Sequence, residues 1–135
     1  MIDCLFCKII EKTIPSVGVY EDEDVYAFLD IKPVNPGHVL VVPKMHSEGF
    51  HDANPEVLKK WIVATQKISK AIMVALGTEG FNLELNNGAI AGQLIPHLHI
   101  HIIPRRLDDG LKHWPGVAYE SGKDIEIAEA IKKEL

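Results

Sequence analysis

The alternation of apolar and polar positions divides the chain into short strand-like runs on either side of one long helical stretch. Residues 17–29, "VGVYEDEDVYAFL", hold two apolar runs, Val17 to Tyr20 and Val25 to Leu29, joined by an acidic turn, which predicts a β-hairpin. In "NPGHVLVVPK" a Pro36-Gly37 turn leads into a β-branched run that stops at Pro43, a third strand. Asn54 then offers a helix N-cap, Pro55 the first helical position and Gly77 a stop. Between them Val57, Leu58, Trp61, Ile62, Ile68, Ile72, Ala75 and Leu76 recur at helical spacing, leaving Lys59, Lys60, Gln66, Lys67 and Lys70 for water. "GFNLELN" returns to strand period, Phe81, Leu83 and Leu85 alternating with Asn82, Glu84 and Asn86. A loop, "NNGAIAGQ", precedes "HLHIHII" at residues 97–103, read as a further strand. Short helices are predicted at both ends: "CLFCKIIEKTI", ending before Pro15, and "DIEIAEAIKKEL", capped by Asp124. Strands on short connections around one long helix predict an α+β fold, an antiparallel sheet with the helix packed on one face.

Composition narrows the class. A chain of 135 residues fits one domain with its own core, and 47% hydrophobic with 24% charged residues is ordinary globular usage. A net charge of -5 argues against a nucleic-acid backbone binder, and no run approaches the roughly 18 apolar residues that span a bilayer. The first residues, "MIDCLFCKIIEKTIP", lack the layout of a secretory signal, so a cytoplasmic protein is expected. In a reducing compartment Cys4 and Cys7, the two cysteines of the chain, are not expected to form a structural disulfide.

The candidate chemistry lies in "HLHIHII". On a strand His97, His99 and His101 face one way, roughly 6.5–7 Å apart, while Leu98, Ile100 and Ile102 face the core. Placing three of seven histidines in five positions goes beyond the polar face of a half-buried strand. Two chemical readings remain: coordination of a catalytic zinc, or attack of a neutral imidazole on phosphorus with its neighbours handling protons. The preceding loop favours the second. Asn86, Asn87 and Gln93 supply amides, and the glycines let backbone N–H groups approach an oxyanion.

The run from His97 to Ile103 resembles the signature of the histidine triad (HIT) superfamily of nucleotidyl hydrolases and transferases, in particular its purine nucleoside phosphoramidase branch. "CLFCKIIEKTIPS", "VYAFLDIKPVNPGHVLVVPKMH" and "HWPG" at 113–116 are similar to that family too, so the likeness covers nearly all of residues 4–116. It implies a sheet of about five strands, a HIT domain over 1–118 and a helical C-terminal extension over 119–135, docked on its own domain or at the interface of a homodimer. It also implies that His99 attacks the α-phosphate of a purine nucleotide or nucleoside phosphoramidate, and that His101 contacts the phosphate or leaving group. His38 completes the pocket. Asn86 and Gln93 would donate to phosphate, Asp30 would bind the ribose hydroxyls, and Phe6, Ile14, Phe28 and Ile31 would enclose the purine. Position 94 departs from the pattern: where a hydroxyl commonly follows the glutamine, this chain has Leu94.

Cys4-x-x-Cys7 by itself is half a zinc site or a redox pair. The resemblance supplies His46 and His97 as the other ligands of a structural zinc, which would divide the triad between a metal and the chemistry. No role follows for His51 or His113. Two other functions stay open: a nucleotide-binding regulatory or interaction module with little catalysis, which Leu94 would suit, and a catalytic zinc hydrolase.

Overall fold

A computed structural model describes residues 3–135. In chain order it contains α1 (Leu5–Ile10), β1 (Gly18–Glu21), β2 (Val25–Leu29), β3 (Val39–Pro43), α2 (Pro55–Leu76), β4 (Gly80–Glu84), β5 (Ile100–Arg105) and α3 (Lys123–Lys133). The strands form one five-stranded sheet in the order β1-β2-β3-β5-β4, antiparallel throughout. The acidic turn has a defined purpose. Asp22 Oδ1 accepts the backbone N–H groups of Asp24 and Val25, both at 2.8 Å, closing the β1–β2 hairpin.

Strands β2 and β3 are apolar at nearly every position because both faces of the sheet are covered. Val25, Ala27, Val39, Val41, Leu98, Ile100 and Ile102 meet Trp61, Ala64 and Ile68 of α2. On the other face Tyr26, Phe28, Leu40 and Val42 meet Cys4, Phe6 and Ile9 from the N-terminal segment and α1. The single helix-covered face expected from the pattern is therefore one of two. Six residues of α1 carry too little periodicity to announce the second.

Helix α2 starts and stops where its end residues dictate. Asn54 accepts the Glu56 N–H at 2.8 Å, and Gly77 closes the helix in the left-handed region at φ 64°. Its buried line is narrower than the apolar stripe. Ile62 stays half exposed, facing a groove against β4, while Thr65 and Ser69 are buried with their hydroxyls bonded to the carbonyls of Trp61 and Thr65. Trp61 fixes the helix to the sheet by donating from Nε1 to the Val41 carbonyl at 3.0 Å.

Two expectations about element ends change. The histidine strand enters the ladder at Ile100 rather than His97, because β3 runs out at Pro43 and Leu98 N–H bonds the Ser47 carbonyl instead. The terminal helix is capped by Gly122, not Asp124, which lies in the first turn where its charge complements the helix dipole. Every residue of α3 is exposed. Among the described residues no helix is long and apolar enough to cross a membrane.

Candidate functional site

The segment His97–His101 crosses from one site to another. The His97 ring is fully buried beside α1, the His99 ring is buried below a cleft, and the His101 ring borders that cleft. The cleft holds about 650 Å³. Its walls include the apolar Phe6, Ile14, Phe28 and Ile31, the carboxylate of Asp30, and His38, Asn86, His99 and His101. Those nine positions, expected separately from the sequence, share one cavity.

Hydrogen-bond partners fix where the protons reside. The His97 carbonyl can only accept, so His99 Nδ1, 2.7 Å away, carries the hydrogen and leaves Nε2 as a bare lone pair. Val34 N–H donates to His38 Nδ1 at 3.0 Å, so the His38 proton is on Nε2. That nitrogen donates to His101 Nδ1 at 2.9 Å, which places the His101 proton on its own Nε2. Residue 99 therefore offers a base or nucleophile and residue 101 an N–H donor, their rings 5.0 Å apart. Burial holds His38, His99 and His101 below the ordinary imidazole range, and His38 lowers His101 further, so all three are neutral at pH 7.

The nucleoside end is apolar and aromatic. Phe6 meets Phe28 edge-on at 5.5 Å and touches the edges of His97 and His99 at 6.0 and 5.0 Å. Ile31 is almost fully exposed on the rim. Asp30 turns Oδ1 to the Lys32 N–H and brings Oδ2 to 3.7 Å from His38 Nε2. Asp30, His38 and His101 could group three donor atoms around a cation, but both His38 nitrogens are committed within the protein.

Gln93 falls elsewhere. Its Oε1 accepts the Gly88 N–H and its Nε2 donates to the carbonyls of Glu48 and Ile95, so the amide clasps the loop instead of lining the cleft. Gly92, at φ 92°, makes that loop turn in a conformation a side chain would resist. Leu94 lies on the rim, 89% exposed. Sequence reasoning passed over Glu84, although strand alternation had placed it on the same face as Asn86. It lines the cleft opposite His101 in the β4–β5 register.

Behind the cleft Cys4, Cys7, His46 and His97 bring one donor atom each to within 4.8 Å of one another. Cys4 Sγ is 3.5 Å and Cys7 Sγ 3.6 Å from His97 Nδ1, and Cys7 Sγ is 3.4 Å from His46 Nδ1. A tetrahedral zinc with its usual bond lengths needs S···N separations of about 3.5 Å. His97 Nε2 donates to the Pro43 carbonyl at 2.8 Å, leaving Nδ1 as the lone pair aimed at the thiols. The donor set and its outer support fit that metal.

Residues 11–108 match the HIT domain family model. An adenosine 5'-monophosphoramidase of Schizosaccharomyces pombe is 41% identical over 134 residues, 98% of each chain. The crystal structure of a HIT family protein from Bacillus subtilis superposes with a TM-score of 0.92 at 42% identity, covering 99% of this chain and 98% of that one. A zinc-bound histidine triad family protein from Mycobacterium smegmatis gives a TM-score of 0.77 at 34% identity, over 98% and 96% of the two chains. With its alternating histidines, five-stranded sheet and helix-backed cleft, this chain belongs to the histidine triad (HIT) family.

Proposed function

We propose that this protein cleaves nucleoside 5'-phosphate derivatives at the α-phosphate through a covalent nucleotidyl intermediate on His99. Phosphoramidates come first among the substrates, with dinucleoside polyphosphates and adenylylated compounds in the same class. The observation that carries the reading is the 2.7 Å bond from His99 Nδ1–H to the His97 carbonyl, which leaves Nε2 bare at the cleft. A neutral imidazole so oriented is a nucleophile without further activation. The adenosine 5'-monophosphoramidase relative supports the substrate class.

The purine would occupy the apolar end between Phe6, Ile14, Phe28 and Ile31, with Asp30 accepting from the ribose hydroxyls. Asn86 would donate to the phosphate. His99 Nε2 attacks phosphorus, a new N–P bond forms and the bond to the leaving group breaks. The departing atom takes the proton of His101 Nε2, which His38 supports from the far side of the ring. A water then attacks phosphorus and gives a proton to His101 Nε2, replacing the one lost to the leaving group; the N–P bond breaks, and the nucleoside monophosphate leaves with His99 and His101 restored.

Cys4, Cys7, His46 and His97 would hold a structural zinc, supported by the donor geometry and by the zinc-bound relative. Through these residues a bound metal would tie α1, which carries Phe6, to the sheet. We also place the protein in the cytoplasm, where the thiols stay reduced, and propose a homodimer formed through the β4 edge. Residues 119–135 extend beyond the matched domain, and α3 would dock at that interface, since its own subunit buries none of it.

Single-turnover mixing with a labelled adenosine 5'-phosphoramidate, quenched in base, tests the reaction. The expected result is a nucleotidyl group that maps to His99 and disappears as AMP forms. Tight binding without release of AMP would instead favour a nucleotide-binding module, the reading that the exposed Leu94 leaves open.

A further inference from the structure

The charge pattern at the phosphate end of the cleft has no part in the steps above. Glu84 pairs directly with His101 across the β4–β5 ladder, and opposed residues put their side chains on one face. Its carboxylate is half-buried in the cleft wall. Asn86 Nδ2 donates to Oε1 at 3.1 Å, and among the described residues no other hydrogen bond reaches that carboxylate. Burial lowers the proton affinity of His38 and His101, and against it the fields of Asp30 and Glu84 act on both rings.

Cations are scarce here. Lys32 is the one lysine or arginine among the lining residues described, and its backbone N–H is bound by Asp30, whose other carboxylate oxygen lies 3.7 Å from His38, so the wall near His101 carries two carboxylates, Asp30 and Glu84, against one cation. A leaving group built from further phosphates would bring several negative charges beside Glu84, with Lys32 the one cation of the described wall to offset them. An amine brings N–H donors to the same carboxylate, and positive charge once released. Leu94, which also lines the cleft and is 89% exposed, would cover an aliphatic stem.

We propose that Glu84 selects the leaving group, favouring amines on aliphatic stems that carry positive charge and disfavouring chains of further phosphates. The inference deepens the phosphoryl-transfer reading and rests on it for the placement of the leaving group. The carboxylate is a specificity determinant, fixed in place by Asn86 and by its position opposite His101.

The test compares two ligands by titration calorimetry in His99→Ala protein, where neither is consumed. One is adenosine 5'-phosphoramidate N-linked to an aminoalkyl chain; the other is ADP. Glu84→Gln, nearly isosteric, is expected to reduce the preference for the amine ligand by about tenfold, the scale of one charge-assisted hydrogen bond. Glu84→Lys is expected to reverse the preference toward ADP. Equal changes for both ligands, leaving the ratio of affinities within about twofold of the starting protein, would overturn the proposal. Release of AMP from the phosphoramidate by wild-type protein is followed in parallel. Its absence would overturn the chemistry assigned to His99, while the affinity ratio would still decide for or against Glu84.

Discussion

At the scale of single residues, proton positions give the site its direction. The His97 carbonyl accepts the Nδ1–H of one imidazole and leaves its other nitrogen bare toward the cleft, and a chain from Val34 N–H through His38 orients the other imidazole as a donor. Because burial depresses the three cleft histidines, kcat/KM should hold its plateau at pH 7 and fall below pH 6.5, as His99 takes a proton and loses its lone pair. A pH–rate profile checks this, and an acidic limb centred above pH 7 would contradict it. The triad was legible because three histidines at period two have few other uses. Gln93 was not: the same amide serves a phosphate or a loop, and of its bonds to Gly88, Glu48 and Ile95 the one to Glu48 joins segments distant in the chain. Glu84 was legible as to face but not as to neighbour, since its meeting with His101 follows from strand register.

Among the elements, the short helix α1 and the start of β5 depend on each other. Six residues form a marginal helix on their own, and α1 is held by Cys4, Cys7 and the packing of Phe6 on His97 and His99. Cys4→Ser should therefore reduce bound zinc from about one per chain to little and lower Tm by about 10 °C, the scale of losing a few kcal/mol. Metal analysis and thermal melts check this; a variant with unchanged metal content and Tm would contradict the zinc assignment. The metal-free protein should also weaken in acid. Burial pushes His97 down to about 4 from 6.5, so the unfolded chain binds the proton first. The contribution is fully present above pH 6.5 and is lost as the pH falls toward 4, which urea titrations at several pH values would follow. The two ends of helix α2 were legible because Asn54, Pro55 and Gly77 act locally, whereas the burial of Thr65 and Ser69 was not. The covering of the second sheet face was not, since Phe6 and Ile9 reveal their partners only when the chain is folded.

For the whole molecule, one sheet separates two duties. One face builds the core against α2, and the other carries the cluster of Cys4, Cys7, His46 and His97 and the cleft. The β4 edge remains open, flanked by a groove of about 370 Å³ in which Ile62 and Met73 face Phe81 and Leu83. An open strand edge with apolar neighbours invites pairing. Light scattering should give the mass of a dimer, and Leu83→Lys should shift it toward the monomer; a wild-type monomer at micromolar concentration would contradict the assembly. Edge exposure follows from strand order, which the sequence pattern does not contain. The central claim is that phosphorus is displaced twice, first by His99 and then by water. It is tested most directly by hydrolysing a P-chiral adenosine 5'-phosphorothioamidate in isotopically labelled water and determining the configuration of the product. Two displacements retain the configuration, which is the result predicted here; inversion would mean that water attacks the substrate directly and would contradict the account.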